Sequence, residues 1–329
     1  LRQLRDGLQE RIEELRKITV SEVGCPISMT YGPGLDDCVK WLGDYANFLD
    51  GYEWKTDMGV AEVMGSKTQR WILREPAGVM AAITPWNVPN DINLKKLGWA
   101  MAAGCTVVLK AAPTTSWCAN FLGEIIATKT DVPAGAVNIL TSGDNAAIGE
   151  MLTADPRVDM VGFTGSTGVG KRIGEVCGSQ VKRVQLELGG KSAAIVLPDM
   201  PGLTHVAGAM GATVCFHAGQ GCAIFTRLLV PKSELDACAD AVIQSLQNVK
   251  YGDPFDPENI MGPQNSAIQR ERVEGHIQHA IDQGGKLLVG GGRATQFEKG
   301  YFMQPTAFIA DENSDLAQNE IFGPVQTLI

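Results

Sequence analysis

The hydrophobic and polar positions change period several times along the chain, and each change marks an element. Leu1, Leu4, Leu8, Ile12 and Leu15 recur at helical spacing among charged residues, which predicts an amphipathic helix over residues 1–23. A similar pattern predicts a helix over 35–49, after the turn formers Gly32-Pro33-Gly34. Between 57 and 76 the pattern shortens to alternating segments split by Gly65-Ser66, the mark of a hairpin. Short apolar runs at 78–84, 106–109, 136–140, 160–163 and 183–188 then read as strands, with helices at 94–103, 116–128, 146–152 and 169–177 between them. A second set places strands at 193–197, 228–230, 286–289 and 306–309, and helices at 203–216, 233–249 and 268–283. Apolar strands alternating with helices predict parallel sheets covered on both faces. The expected fold class is α/β, with two doubly wound parallel-sheet domains meeting at Gly189-Gly190, one over 1–189 and the other over 190–329. The chain starts inside a helical pattern and stops inside a strand pattern at 325–329, so it is expected to be a fragment lacking both termini.

Composition narrows the partners. A hydrophobic fraction of 44% and a charged fraction of 20% are those of an ordinary soluble protein. The net charge of −9 argues against nucleic acid and anionic membranes, because binding phosphate needs clustered Lys and Arg. No apolar run approaches the roughly 20 residues that span a bilayer, and residues 1–17 are too charged for a signal peptide. Eight cysteines scattered through a long chain point to a reducing, cytoplasmic location rather than a disulfide framework. The one close histidine pair, His276 and His279, reads as a solvated helix face, so no metal is expected.

Four stretches carry candidate chemistry. In His217-Ala218-Gly219-Gln220-Gly221-Cys222, two glycines let the backbone bend tightly ahead of a cysteine, at the end of the helix expected over 203–216. Cys222 is a candidate nucleophile, although a cysteine in such a segment also reads as a small buried hydrophobe. Val184-Gln185-Leu186-Glu187-Leu188-Gly189-Gly190-Lys191 sets one carboxylate in an apolar run, where desolvation should raise its pKa and suit Glu187 to general-base work. Ile83-Thr84-Pro85-Trp86-Asn87-Val88-Pro89 holds an amide between prolines, a stiff turn that could aim Asn87 as an oxyanion donor. Phe163-Thr164-Gly165-Ser166-Thr167-Gly168 joins a strand to a helix, which fits either a pyrophosphate cradle or an ordinary helix cap.

In this order, together with Glu320-Ile321-Phe322-Gly323-Pro324-Val325, these motifs resemble the aldehyde dehydrogenase superfamily over essentially the whole chain. The resemblance implies a Rossmann-like cofactor domain, a catalytic thiol domain, and oxidation of a small-molecule aldehyde to a carboxylic acid with NAD or NADP. It implies that Cys222 forms the thiohemiacetal and thioester, Asn87 holds the oxyanion and Glu187 activates water. Ile83, Thr84, Pro85, Trp86, Lys110, Phe163, Gly165, Ser166, Leu188, Gly189, Glu320 and Phe322 are implied around the cofactor. Glu187 fits the non-acylating branch, since acyl-coenzyme-A-forming members lack that base. The hairpin at 57–76 resembles an oligomerisation flap, implying a homodimer or homotetramer. Two departures bear on the cofactor. Pro113 stands where many strictly NAD-using relatives carry a glutamate, which leaves NADP open, and Thr141-Ser142-Gly143-Asp144 has one glycine where many relatives have two. The rival readings are a thiol esterase that uses the same cysteine without cofactor, and an inactive fragment or structural homologue of the fold.

Overall fold

The leading helical pattern is realised as two helices, α1 (Arg2–Glu10) and α2 (Ile12–Val23), in the computed structural model, which describes residues 1–329. At Arg11 the backbone leaves helical geometry and its N–H turns back to the Leu8 carbonyl. The apolar stripe survives this break, with Leu4, Leu8, Ile12 and Leu15 all buried. After the short α3 (Ile27–Thr30) and the long α4 (Asp36–Asp50), β1 (Lys55–Val63) and β2 (Ser66–Leu73) form an antiparallel hairpin. Met64 and Gly65 at its tip have φ of 51° and 78°, the primed two-residue turn whose twist matches that of paired strands.

Alternation then follows the apolar runs: β3 (Val79–Ile83), α5 (Pro89–Ala102), β4 (Thr106–Lys110), α6 (Ser116–Lys129), β5 (Val137–Leu140), α7 (Asn145–Ala154), β6 (Met160–Thr164), α8 (Thr167–Ser179) and β7 (Arg183–Glu187). These strands form one wholly parallel sheet in the order β5-β4-β3-β6-β7. The order runs outward in both directions from β3, so the sheet has a switch point between β3 and β6. Loops leaving the carboxyl ends of strands there form a natural ligand crevice.

The later elements are β8 (Ser192–Ile195), α9 (Leu203–Gly211), β9 (Phe225–Leu229), α10 (Leu235–Gln247), α11 (Ala267–Asp282), β10 (Lys286–Val289), β11 (Thr306–Ile309), the short α12 (Asp315–Gln318) and β12 (Val325–Leu328). Their sheet has the order β10-β11-β12-β9-β8 and is parallel except at its edge, where β10 runs antiparallel to β11. No helix separates β10 from β11, and a parallel return needs a crossover that their link does not provide. Adjacent residues of β11 serve opposite faces. Ala307 joins the buried cluster of Ala207, Val214, Val242 and Leu246 from the α9 and α10 side, while Phe308 joins Val273, Ile277 and Val325 on the α11 side.

Two interleaved compact units result. The first comprises Leu1–Leu15, Leu35–Pro85 and Pro89–Glu187; the second comprises Arg16–Gly34, Trp86–Val88 and Leu188–Ile329. The segments Arg16–Gly34 and Trp86–Val88, which the sequence reading places in the first domain, therefore pack with the second unit. Val23, Cys25 and Met29 form a buried cluster against Val88 there. Ile27 N–H donates to the Pro254 carbonyl at 2.8 Å, and the Asn265 amide donates to the Glu22 carbonyl at 2.9 Å. Period alone does not reveal such docking, because these pieces are held by long-range contacts. No helix of the chain is long and apolar enough to cross a membrane.

Candidate active site

Within the second unit, four loops converge around Cys222. The helix expected over 203–216 ends as an α-helix at Gly211, where a side chain would press on Val242 of α10, and continues as a 3₁₀ stretch over Ala212–Gly219. That stretch is interrupted by three consecutive left-handed residues, His217, Ala218 and Gly219, with φ of 50°, 52° and 74°. Left-handed backbone is costly for residues with a Cβ and persists where surrounding contacts over-determine it. At Gly219 those contacts are explicit, since a Cβ there would collide with the Gly323 carbonyl oxygen. The chain then emerges so that Cys222 is exposed, while Cys25, Cys38, Cys118, Cys177, Cys215 and Cys238 are buried and Cys105 is half-buried. Burial pushes the Cys25 and Cys215 thiols up to about 12, which leaves them inert near neutrality. Only Cys222 combines a thiol with open access.

Asn87 is brought to this loop from residues 86–88. Its side-chain amide donates to the Gln220 carbonyl at 2.9 Å, two residues before Cys222, and its own carbonyl lies 2.7 Å from His217 Nε2. Gln220 anchors the loop in turn. Its Nε2 donates to the carbonyls of His217 and Pro263 at 3.1 and 3.3 Å, and its Oε1 accepts from Asn265 N–H at 2.8 Å. One of the two Asn87 amide hydrogens is thus fixed on a main-chain carbonyl, and an amide nitrogen carries a second.

Glu320, Phe322 and Gly189 meet on the same unit. Glu320 Oε1 accepts from Gly190 N–H at 3.3 Å, and a Cβ on Gly189 would strike the Glu320 carboxylate. Gly190 also faces the Cys222 carbonyl, with 3.5 Å to a Cβ placed on it. Phe322 has φ of 61° and meets Trp86 edge-on at 5.5 Å between ring centres. The loop is tied to α11 by Gln269 Nε2, which donates to the Phe322 carbonyl at 2.8 Å, and by Arg272, which donates to the Glu320 carbonyl at 3.1 Å.

In the first unit, the remaining expected cofactor residues gather at the carboxyl edge of the parallel sheet. Ile83 ends β3 and pairs with Phe163 of β6 and Lys110 of β4, and Thr84 N–H donates to the Lys110 carbonyl at 3.1 Å. Thr84 Oγ1 is buried without a partner. Lys110 is buried, its Nζ held by the Ala111 carbonyl at 3.0 Å and by Asn145 Oδ1, and burial lowers its pKa. Gly165 N–H donates to the Glu187 carbonyl at 3.0 Å, and Ser166 opens α8 without capping it through its side chain. Gly168 in the first turn of α8 faces open space. Free helix N–H groups, an open first turn and an orphaned buried hydroxyl fit a dinucleotide phosphate and ribose. Nearby, Pro113, Ser116, Thr141, Ser142 and Gly143 line a cavity of about 270 Å³ with no carboxylate in its wall.

Glu187 departs from expectation. It closes β7 and pairs with Thr164 of β6, but its side chain is exposed rather than desolvated. The reason is positional, because β7 is the sheet's edge strand and four of its five residues are exposed. Conversely, Lys96 on α5 is buried although its charge suggests a solvated face, and its pKa is pushed down to about 8 by burial, with Glu187 opposing the shift. The signal was present as Asn90, Asn93 and Lys96, three polar residues at helical spacing, all of which fold inward.

A model of the aldehyde dehydrogenase family matches residues 1–329. The chain belongs to this family. A 3-succinoylsemialdehyde-pyridine dehydrogenase from a Pseudomonas species is 37% identical over 330 residues, covering 99% of this chain and 66% of that relative. An aldehyde dehydrogenase from Mycobacterium tuberculosis, solved with NAD+, is 36% identical with a TM-score of 0.92, covering 99% of this chain and 66% of its own. A mutant of aldehyde dehydrogenase C from Pseudomonas syringae, complexed with NAD+ and octanal, is 32% identical with a TM-score of 0.91, covering 99% and 65%. The likeness to these aldehyde dehydrogenases holds through both sheets, and the α/β fold class is theirs. The chain spans about two thirds of the length of the relatives it matches.

Proposed function

We propose that this chain carries the thiol, oxyanion and dinucleotide sites of an NAD(P)+-dependent aldehyde dehydrogenase that turns an aldehyde into a carboxylic acid. The observation that carries the reading is the single exposed thiol, Cys222, on a strained loop to which the Asn87 amide is hydrogen-bonded. The Cys222 sulfur adds to the carbonyl carbon, forming a C–S bond, and the resulting oxyanion accepts from Asn87 Nδ2–H and from the Cys222 N–H. The nicotinamide, when bound, supplies the acceptor for the hydride that leaves this carbon and so leaves a thioester on Cys222. Glu187 then takes a proton from water as its oxygen adds to the thioester; the C–S bond breaks and the acid departs. Its exposure keeps it open to water.

Lys110, Ile83, Thr84, Pro85, Phe163, Gly165 and Ser166 would hold the adenosine and phosphates, and Trp86, Leu188, Gly189, Glu320 and Phe322 the nicotinamide end. The cavity wall of Pro113, Ser116, Thr141, Ser142 and Gly143 itself carries no carboxylate to repel a 2′-phosphate, so the reading takes NAD+ or NADP+ as cofactor. The residue division assigns dinucleotide binding to residues 1–189 and the thiol chemistry to 190–329, with 16–34 and 86–88 contributing to the latter. The free cysteines fit a reducing cytoplasm. Exposed Met58, Val60, Val63, Trp71, Ile72 and Leu73 on the hairpin fit association of copies into a homodimer or homotetramer. A panel of aldehydes offered to the full-length protein with NAD+ and NADP+ separately tests the reading. Cofactor reduction abolished by Cys222→Ala supports it, and reduction that persists in that variant removes Cys222 from the chemistry.

A further inference from the structure

Asn87, Gln220 and His217 close a hydrogen-bonded circuit. Asn87 Nδ2 donates to the Gln220 carbonyl, Gln220 N–H donates to the His217 carbonyl at 3.1 Å, and the His217 ring returns to the Asn87 carbonyl at 2.7 Å. A carbonyl only accepts, so Nε2 carries the proton, and Nδ1 keeps a lone pair that is buried and has no partner. His217 is 2% exposed and left-handed, in the middle of the loop that leads to Cys222. A buried ring aimed at a backbone carbonyl about 130 residues away, and held in an unfavoured backbone conformation, is over-determined for packing alone.

We infer that His217 is a positioning residue for the oxyanion donor, its neutral Nε2–H fixing the Asn87 backbone so that the free amide hydrogen of Asn87 faces the oxygen on the carbon bonded to Cys222. This inference rests on the proposed aldehyde oxidation. It differs from a general structural role because the effect must pass through Asn87. Burial lowers the ring's pKa to about 4, which keeps it neutral and in this role through the working range.

The decisive experiment is a double-mutant cycle in the full-length protein with Asn87→Ala and His217→Phe, reading kcat, aldehyde KM and cofactor affinity by fluorescence titration. His217→Phe is expected to lower kcat by about 10- to 100-fold with cofactor affinity unchanged. In the Asn87→Ala background it should lower kcat by less than about 2-fold, since the donor it aims is gone. His217→Gln, which can return an amide N–H near the Nε2 position, should recover most of the loss. Additive losses in the cycle, or equal losses in the Phe and Gln variants, would overturn the inference while leaving aldehyde oxidation intact. A wild-type protein without aldehyde-dependent cofactor reduction would instead overturn the reading beneath it. Should His217→Phe not fold, nitrogen NMR of the wild-type imidazole decides: a neutral Nε2–H tautomer at pH 6 is required, and an Nδ1–H tautomer or a charged ring at that pH removes the inference.

Discussion

At the scale of single residues, reactivity here is separated from packing by exposure. Six buried thiols and one half-buried thiol share the sequence letter of Cys222 without its access. The Asn87 amide has the complementary character, being buried and donating one hydrogen bond to the Gln220 carbonyl. Asn87→Ala is expected to lower kcat by about 100- to 1,000-fold with cofactor affinity little changed, measured by steady-state turnover and cofactor titration. His217 adds a pH dependence to stability. Its folded pKa lies near 4, below the 6.5 of an exposed imidazole, because a charged ring would be unsolvated in its site. The unfolded chain therefore binds more protons between those values, and the contribution is fully present above pH 6.5 and lost as pH falls through about 4. Up to about 3 kcal/mol is at stake. Urea midpoints measured from pH 7 to pH 4.5 should fall more steeply for wild type than for His217→Asn; parallel slopes would mean that the ring is not neutral and buried as described.

At the scale of elements, the legible parts were those governed by local period. The strand runs at 106–109, 160–163, 286–289 and 306–309 lie within one residue of the observed strands, because apolar strands bounded by turn formers admit few alternatives. The helix expected over 203–216 is α-helical only to Gly211, because the 3₁₀ stretch and the left-handed run that follow it are not encoded by period. Antiparallel β10 was hidden for a related reason: strand direction follows from the connection, not from the residues of the strand. Of the candidate site, the sequence motifs single out Cys222 and Asn87, which the structure joins through one loop, whereas the burial expected for Glu187 fails because an apolar run does not say which strand lies at the sheet's edge. A tight element-scale constraint is Gly219 against Gly323. Gly219→Ala combines a left-handed backbone with a collision against main chain that no side-chain rotation relieves, and should cost at least about 2 kcal/mol. Thermal unfolding checks this; an unchanged midpoint would show that the two loops are not in contact.

At the scale of the whole molecule, the chain passes between its two units after residues 15, 34, 85, 88 and 187, so a cut at the apparent boundary separates pieces that belong together. Residues 188–329 produced alone would lack the Val23, Cys25, Met29 and Val88 cluster and the Glu22 and Ile27 hydrogen bonds. Such a fragment should show weak near-ultraviolet circular dichroism and a broad denaturant transition, and a sharp, cooperative one would contradict the interleaving. The hairpin makes a second demand, since two strands exposed on both faces are marginal alone in water. If the hairpin joins copies of the chain as proposed, replacing Trp71 and Ile72 by serine should shift sedimentation of the full-length protein toward smaller species without loss of secondary structure; an unaltered distribution would contradict association through the hairpin. Most directly, aldehyde oxidation as proposed requires that the carbon being oxidised becomes bonded to Cys222 and is released by water activated at Glu187. Full-length Glu187→Gln, mixed with aldehyde and cofactor and then quenched, should carry one acyl group by intact mass, located by digestion on the peptide containing Cys222, after a single burst of reduced cofactor. A burst of reduced cofactor with no acyl group on that peptide would contradict it.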